Sequence, residues 1–365
     1  VGAGPAGATL ARLLAGRCRV LLLDNGHSKC CGGILAPEAQ NILAKLNLAL
    51  PRDVLVHPQP MSVAVLDFDN GLSRRFSRRY VNIDRTLFDK WLVSMIPDSA
   101  DIRRNARYRF AERTDAGFKV YFTQNGETQS EEVQYLAGAD GAFSTLRREF
   151  FPKAPKPKQY VAVQHWHDMS KTDLTDVPIR FMDDYTGIFA SSLTDFYAWT
   201  IPKNGYLILG AALRLGTSVS GNINGTMAGT MERVRRQLEY GYGLKLPQPL
   251  RREACRLVRP QHFSSICLGT EKVMLLGEAA GLISPSSAEG ISSALISAYH
   301  LAETFGNHRG GNNCDGFRLY CRRMRWHRLS LYLKNLKCPA MFNPLLRKWV
   351  LLSKINPMRV REQAE

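Results

Sequence analysis

Three glycines at the start of the chain constrain it more than anything that follows. Gly2, Gly4 and Gly7 keep the G-x-G-x-x-G spacing in VGAGPAGATLARLLAGRCRVLLLDNG. That spacing calls for a tight turn at Gly2, a bare backbone for close approach at Gly4, and a helix packed hard on a strand at Gly7. Pro5 and Ala6 lead into a helical run, Ala8 to Ala15, whose N-terminal amides are free to meet phosphates. Val20 to Leu23 reads as a buried parallel strand. Asp24 ends it, where a carboxylate can accept both hydroxyls of a ribose. Glycines, helix, strand and acid together predict a dinucleotide site in an α/β fold. Only Val1 stands before Gly2, although such a sheet has its central strand there. The expectation is therefore that further residues precede Val1 in the working protein.

A chain of 365 residues with 45% hydrophobic content can bury a sizeable core and predicts two interlocked domains. With 22% charged residues and 18 Pro, it fits neither a disordered nor a fibrous class. Eight Cys are too sparse for a disulfide scaffold, and the expectation is a reducing, cytoplasmic setting. No run of 18 apolar residues occurs, so no membrane span is expected. The net charge of +17 is uneven: from Arg318 to the end the chain carries twelve Lys or Arg against Glu362 and Glu365. A basic tail suits anionic lipid, nucleic acid or an acidic partner. Nucleic acid is not expected, because no recognition module accompanies the charge.

Two later segments repeat the logic of the first. Tyr135 to Phe150 (YLAGADGAFSTLRREF) reads as a strand, a turn at Asp140 and Gly141, and a short helix. Lys272 to Glu303 reads as a strand, Gly277-Glu278, a glycine-rich turn through Gly281, and a long helix opening near Glu289, Gly290 and Ile291. With these three turns in this order, residues 1 to 310 resemble the flavoprotein fold shared by aromatic hydroxylases, flavin-dependent halogenases and geranylgeranyl reductases. The resemblance implies a Rossmann-like FAD-binding domain with an inserted, mostly antiparallel substrate sheet; beyond it, apolar residues interleaved with basic ones in Phe317 to Leu336 and Phe342 to Pro357 predict a helical C-terminal tail of two amphipathic helices. The resemblance implies FAD with its adenosine and pyrophosphate on the first turn, the second turn near the pyrophosphate, and the third on the ribityl chain. Arg85, which follows the N-cap residue Asp84, resembles the family's arginine that reaches the cofactor. Glu278 departs from the family's Asp, and looser FAD binding without a covalent link is the expectation.

The expected division is an FAD-binding domain of 1-55, 80-155 and 265-310, a sheet domain of 56-79 and 156-264, and a tail of 311-365. Strands are expected at Met61 to Phe68, Gly71 to Tyr80, Tyr160 to Met169, Ile179 to Met182, Gly187 to Ser192, Phe196 to Ile201 and Gly205 to Leu213. Residues 102 to 138 read as a separate meander, and Thr226 to Tyr240 as a helix ended by glycines. Leu87, Trp91, Leu92 and Met95 form an apolar face at helical spacing. His165 and His167 share a strand face, and either the core or the substrate cavity could receive them. No metal constellation or nucleophile elbow is present.

Two local patterns bear on chemistry. Tyr197 to Leu213 (YAWTIPKNGYLILGAAL) is similar to the Y-x-W-x-x-P-K segment of geranylgeranyl reductases, and Tyr197 and Trp199 fall on one side of a strand. Lys29 to Gly33 (KCCGG) resembles those enzymes' K-x-C-G-G loop, with Gly32 and Gly33 permitting close approach and Cys31 in the matching place. Cys31 could sit by the flavin, donate a proton or shape the pocket. Cys30 has no counterpart in that pattern, and Cys321 and Cys338 could pair. The resemblance implies hydride transfer from reduced flavin to an apolar or isoprenoid alkene, with NAD(P)H or a redox protein as external reductant. Oxygen-dependent hydroxylation or halogenation, and modification of a partner protein, stay open. The basic tail, with Trp326, Leu333, Leu336, Leu345, Trp349, Leu352 and Ile355, could either cover the two domains with its basic side in water or meet an anionic membrane surface.

Overall fold

A computed structural model of the chain describes residues 1–27, 29–215, 227–306 and 314–353. Its first layer is parallel. Leu21–Asp24 runs beside Asp101–Arg104, and Leu136–Gly138 beside Val273–Leu275. The opening residues join these pairs: Gly2 N donates to Leu23 O at 2.9 Å, and Ala139 N donates to Val1 O at 2.8 Å. Helices α1 (Pro5–Leu14), α2 (Pro37–Lys45) and α3 (Arg85–Ser94) cover one face. The antiparallel meander Ala106–Arg113, Phe118–Gln124 and Glu127–Val133 packs on the same core as Tyr320, Met324 and Leu331. Short helix α4 (Thr145–Phe150) is capped by Ser144, whose hydroxyl accepts from Arg147 N at 2.9 Å.

The second layer is a seven-stranded sheet. Its spatial order is Arg251–Arg259, Lys158–Asp168, Tyr206–Arg214, Ala198–Lys203, Tyr185–Phe189, Ser62–Asp67 and Leu72–Ser77. All neighbours are antiparallel except Tyr185–Phe189 and Ser62–Asp67. One face, with Tyr197, Trp199, Ile201 and Leu257, turns toward the nucleotide layer. The other carries Leu207, Leu209 and Ala211 against Met231, Val234 and Leu238 of α5 (Met227–Tyr242). Gly243, at φ +71°, ends that helix. The expected helix start at Thr226 lies outside the described residues.

Some expectations fail locally. Ile179 to Met182 is a turn, and the strand begins at Tyr185. The edge strand Arg251–Arg259 went unforeseen because its charged outer residues hide the alternation. On α3 the core takes Phe88 and Leu92, while Leu87 and Met95 face solvent. Asp84 caps this helix as expected, accepting from Leu87 N at 2.9 Å. Cys321 and Cys338 are both free thiols.

After α6 (Ile291–Gly306) the tail breaks into α7 (Cys314–Arg323), α8 (Arg325–Leu333), α9 (Cys338–Phe342) and α10 (Pro344–Leu352). Where the sequence suggests two amphipathic helices, Pro339 and Pro344 set new helix starts. The tail is anchored to the sheet. Arg347 Nη2 donates to Asp67 Oδ1 at 2.7 Å and also pairs with Asp69, and both Arg347 and Asp67 are buried. Removing one member of such a pair strands the other charge, at a cost of about 3–5 kcal/mol. Phe342 lies with its ring centroid 5.4 Å from Phe196 and 6.1 Å from Phe189, on the aromatic face of the sheet. Leu345 and Trp349 remain 77% and 65% exposed. Among the described residues no helix is long and apolar enough to cross a membrane.

Candidate functional site

Between the two layers runs a cleft of about 980 Å³, near the top of the range for sites that hold one extended small molecule. One end is built by the first glycine turn. Gly2 takes φ +96°, and a Cβ there would lie 2.5 Å from Ala139 O, so the turn closes on the second motif only with glycine. Gly4 has open space where a Cβ would stand and caps α1 without a side-chain bond, leaving the helix's first amides unpaired toward the cleft. Pro5 and Ala6 line the same end, as does Asp24 at the tip of its strand. Gly7 lies behind the wall, where any Cβ would overlap Gly2 O.

The middle of the cleft is polar. Asp140 Oδ2 accepts from Thr145 N at 2.7 Å, while its Oδ1 is buried without a partner among the described residues. Gly141 lines the cleft beside it, and Arg85 lines it nearer Cys31, with Arg85 Nε donating to Asp89 Oδ1 at 2.9 Å. Gly277 and Gly281 do not reach the cleft. Gly277 fits against Ala6 and Ala294, and Gly281, at φ +82°, closes a turn against Ser265. Gly290 and Ile291 line it at the start of α6. Glu278 also lines it, but its carboxylate is already engaged by Lys29 Nζ and by Val258 N, the latter at 3.2 Å. Its extra methylene carries it across to Lys29, so it does not present a free carboxylate to a ribityl hydroxyl. Burial works against the Lys29 charge, yet Glu278 outweighs it and keeps the ammonium above its ordinary range.

At the far end the KCCGG loop faces the sheet. Gly32 rests on Ile201, and Gly33 sits at φ +61° over the Ile83 carbonyl. Lys203, buried beneath, donates to Asn82 Oδ1 and Ile83 O at 2.6 Å and to Gly33 O at 3.2 Å, fixing the loop. Burial pulls its amine down to about 7 against the opposing influence of Cys31 and Asp84. Cys31 Sγ accepts from Gly33 N at 3.4 Å. Opposite stand Tyr197 and Trp199, ring centroids 5.5 Å apart, both lining the cleft as their strand spacing predicts. Gly210 on the neighbouring strand leaves room for the indole, which a Cβ would overlap. Trp199 Nε1 is buried and has no partner among the described residues. Tyr197 Oη donates to Ser287 O at 2.7 Å and hydrogen-bonds Tyr185; burial first, then Tyr185 and nearby Glu289, push its phenol well above the ordinary range.

Sequence reasoning overlooked several groups at this end. Tyr80 Oη donates to Glu289 Oε1 at 2.7 Å, and Tyr185, Gln164 and Cys255 also line the cleft. Tyr80 stands just before the short strand Val81–Asn82, and Gln164, Tyr185 and Cys255 come from three strands that sheet register brings together, as in the pairing of Ala162 with Cys255. His165 and His167 point the other way, into a second cavity of about 680 Å³ against α5, because their strand face is the one turned from the nucleotide layer. Among the described residues no three His, Cys, Asp or Glu gather as a metal site.

These features suit an extended dinucleotide: bare helix amides and the orphaned Asp140 Oδ1 at one end, and a glycine-floored, aromatic-walled chamber at the other. Protein CbrA of Shigella flexneri serotype 5b is 36% identical over 360 residues, spanning 97% of this chain and 92% of the relative. An Escherichia coli Protein CbrA matches to the same extent. The chain belongs to the CbrA family. No family model matches it. Among solved structures, a geranylgeranyl bacteriochlorophyll reductase-like protein from Thermoplasma acidophilum superposes with a TM-score of 0.79 at 18% identity, covering 98% of this chain and 92% of the other. A probable FAD-dependent monooxygenase, PqsL of Pseudomonas aeruginosa, gives 0.67 at 15% identity, with coverage of 96% and 98%. Klebsiella pneumoniae HpxO, solved with FAD and uric acid, gives 0.66 at 18%, covering 96% and 90%. The fold of this CbrA-family chain is thus the one shared by this reductase-like protein, the probable FAD-dependent monooxygenase and the FAD-bound HpxO.

Proposed function

We propose that this protein is an FAD-dependent oxidoreductase that reduces a carbon–carbon double bond of an apolar, isoprenoid-like substrate. The observation that carries the reading is the aromatic wall of Tyr197 and Trp199 facing the Gly32-Gly33 loop at the end of a nucleotide-shaped cleft. The T. acidophilum reductase-like fold, with its higher TM-score, supports a reductase over a monooxygenase. Gly2, Gly4, Pro5, Ala6 and Asp24 would hold the adenosine and pyrophosphate end, with Asp140 and Gly141 beside them and Arg85 nearer the ring. Gly32, Gly33, Gly290 and Ile291 would bound the ring. Bound and reduced, FAD supplies a hydride; an NAD(P)H or protein donor would renew it.

The chain's own groups position the acceptor and manage the proton. Tyr197 and Trp199 offer broad apolar surface to an alkene and exclude water from it. Tyr197 Oη, its phenol kept protonated by burial, holds a proton at the wall, and Tyr185 adjoins it as a relay. Cys31 Sγ faces the same chamber from the loop and is a second proton source.

Anaerobic turnover with chemically reduced enzyme tests this. Isoprenoid alkenes, quinones and aromatic compounds are offered, and products are read by mass. Gain of two hydrogens by an isoprenoid alkene is expected. Gain of an oxygen atom under air, with no reduction under nitrogen, would assign the cleft to hydroxylation instead.

A further inference from the structure

Three cysteines share the inner end of the cleft, and the proposed reduction uses only one of them. Cys30 lies in the KCCGG loop. Cys255 lies on the edge strand Arg251–Arg259, far away in sequence. Cys255 Sγ donates to the Cys30 carbonyl oxygen at 3.0 Å, and the two thiols hydrogen-bond each other. Cys30 Sγ also donates to Gln164 Oε1 at 3.4 Å. Both thiols are free and both line the cleft. Cys31 is turned elsewhere, toward Gly33 N and Arg85.

We propose that Cys30 and Cys255 are a redox-active dithiol that closes into a disulfide by exchange with a small external disulfide of the glutathione type. The surroundings assign the roles. The groups around Cys255 are the Cys30 thiol, the cations Lys29 and Arg85, and the Glu278 carboxylate. The hydrogen bond from Cys30 draws the Cys255 thiol below its ordinary range, and Lys29 and Arg85 add to this against burial and Glu278. Cys30 is pushed the other way, by that same hydrogen bond and by burial. Cys255, with Lys29 and Arg85 on its side of the pair, is the sulfur placed to attack once deprotonated. It displaces one glutathione from glutathione disulfide and forms a mixed disulfide. Cys30 sulfur then attacks the Cys255 sulfur and expels the second glutathione. The protein loses two electrons and two protons, and glutathione disulfide becomes two molecules of glutathione.

The bond would tie the loop carrying Lys29, Gly32 and Gly33 to the sheet edge across the inner end of the cleft. It depends on thiol geometry alone and stands whether or not the flavin reading does. To test it, purified protein is equilibrated in glutathione buffers of rising oxidised fraction, trapped with an alkylating reagent, digested and mapped. A mass loss of about 2 Da and a linked Cys30–Cys255 peptide pair are expected under oxidising buffer. The pair should vanish in Cys30→Ser and Cys255→Ser and persist in Cys31→Ser. Thermal unfolding of the unsubstituted protein gives a second reading without any variant. The oxidised form should melt higher and return to the reduced value on adding dithiothreitol, because the bond closes a long loop. Glutathione adducts without a linked pair, a pair joining Cys31 instead of Cys30, or thiols that all stay free would each overturn the proposal. An unchanged melting temperature in protein shown to carry the bond would overturn the clamp.

Discussion

Gly33 shows how a single residue carries the site. It sits at φ +61°, and a Cβ there would overlap the Ile83 carbonyl and crowd the Lys203 ammonium at 2.7 Å. Left-handed backbone costs an L-residue about 1–2 kcal/mol even without such an overlap. Gly33→Ala should therefore weaken FAD binding by about tenfold or more, with the loop displaced from Lys203; a titration of flavin fluorescence measures it. An unchanged dissociation constant would remove the loop from the cofactor's surroundings. At this scale the sequence was most legible where backbone geometry demands one residue type. Gly2 and Gly33 announced themselves. Glu278 did not, because its role depends on Lys29 lying opposite, and nothing in their spacing signals that pairing. Cys255 was silent for the same reason.

Elements were legible to the extent that their periodicity was undisturbed. The strand Leu21–Asp24 and the helices after each glycine turn follow from apolar runs and their punctuation. The edge strand Arg251–Arg259 and the turn at 179–182 did not, since charge and aromatic content there mislead a period-two reading. The contact of α6 with α8 has a consequence that sequence alone could not supply. His327 Nε2 is 2.9 Å from Ser293 Oγ, and His300 lies near Lys45 and Arg323. Burial, reinforced by neighbouring cations, pushes both imidazoles down to about 4. In the unfolded chain they titrate near 6.5, so between these values the unfolded state binds more protons. Their contribution to stability is fully present above about pH 6.5 and is lost as pH falls toward 4. Urea unfolding across that range should show falling stability, with a shallower slope in His327→Gln. An identical slope in the variant would mean that His327 is not neutral in the fold.

The whole molecule places a basic helical tail on the aromatic face of the sheet, beside the cleft, while α5 covers the opposite face. Arg347, Asp67 and Asp69 fasten it, and Phe342 packs on Tyr197's neighbours Phe189 and Phe196. The charge of the tail was plain in the sequence, but not its docking through a buried arginine. Its outer face leaves Trp326, Leu336, Leu345, Trp349 and Leu352 exposed among lysines and arginines. That combination favours contact with an anionic bilayer. Sedimentation with vesicles should recover the protein with anionic lipid and leave it in solution with neutral lipid, and Leu345→Ser with Trp349→Ser should abolish recovery. Equal behaviour with both lipids would dismiss the contact. The cleft between the two layers has the extent and lining to enclose one flavin nucleotide. Equilibrium dialysis of the purified chain against FAD tests that most directly. One FAD per chain, held more weakly by Gly33→Ala, is the expected result; no saturable FAD binding by folded protein would contradict it.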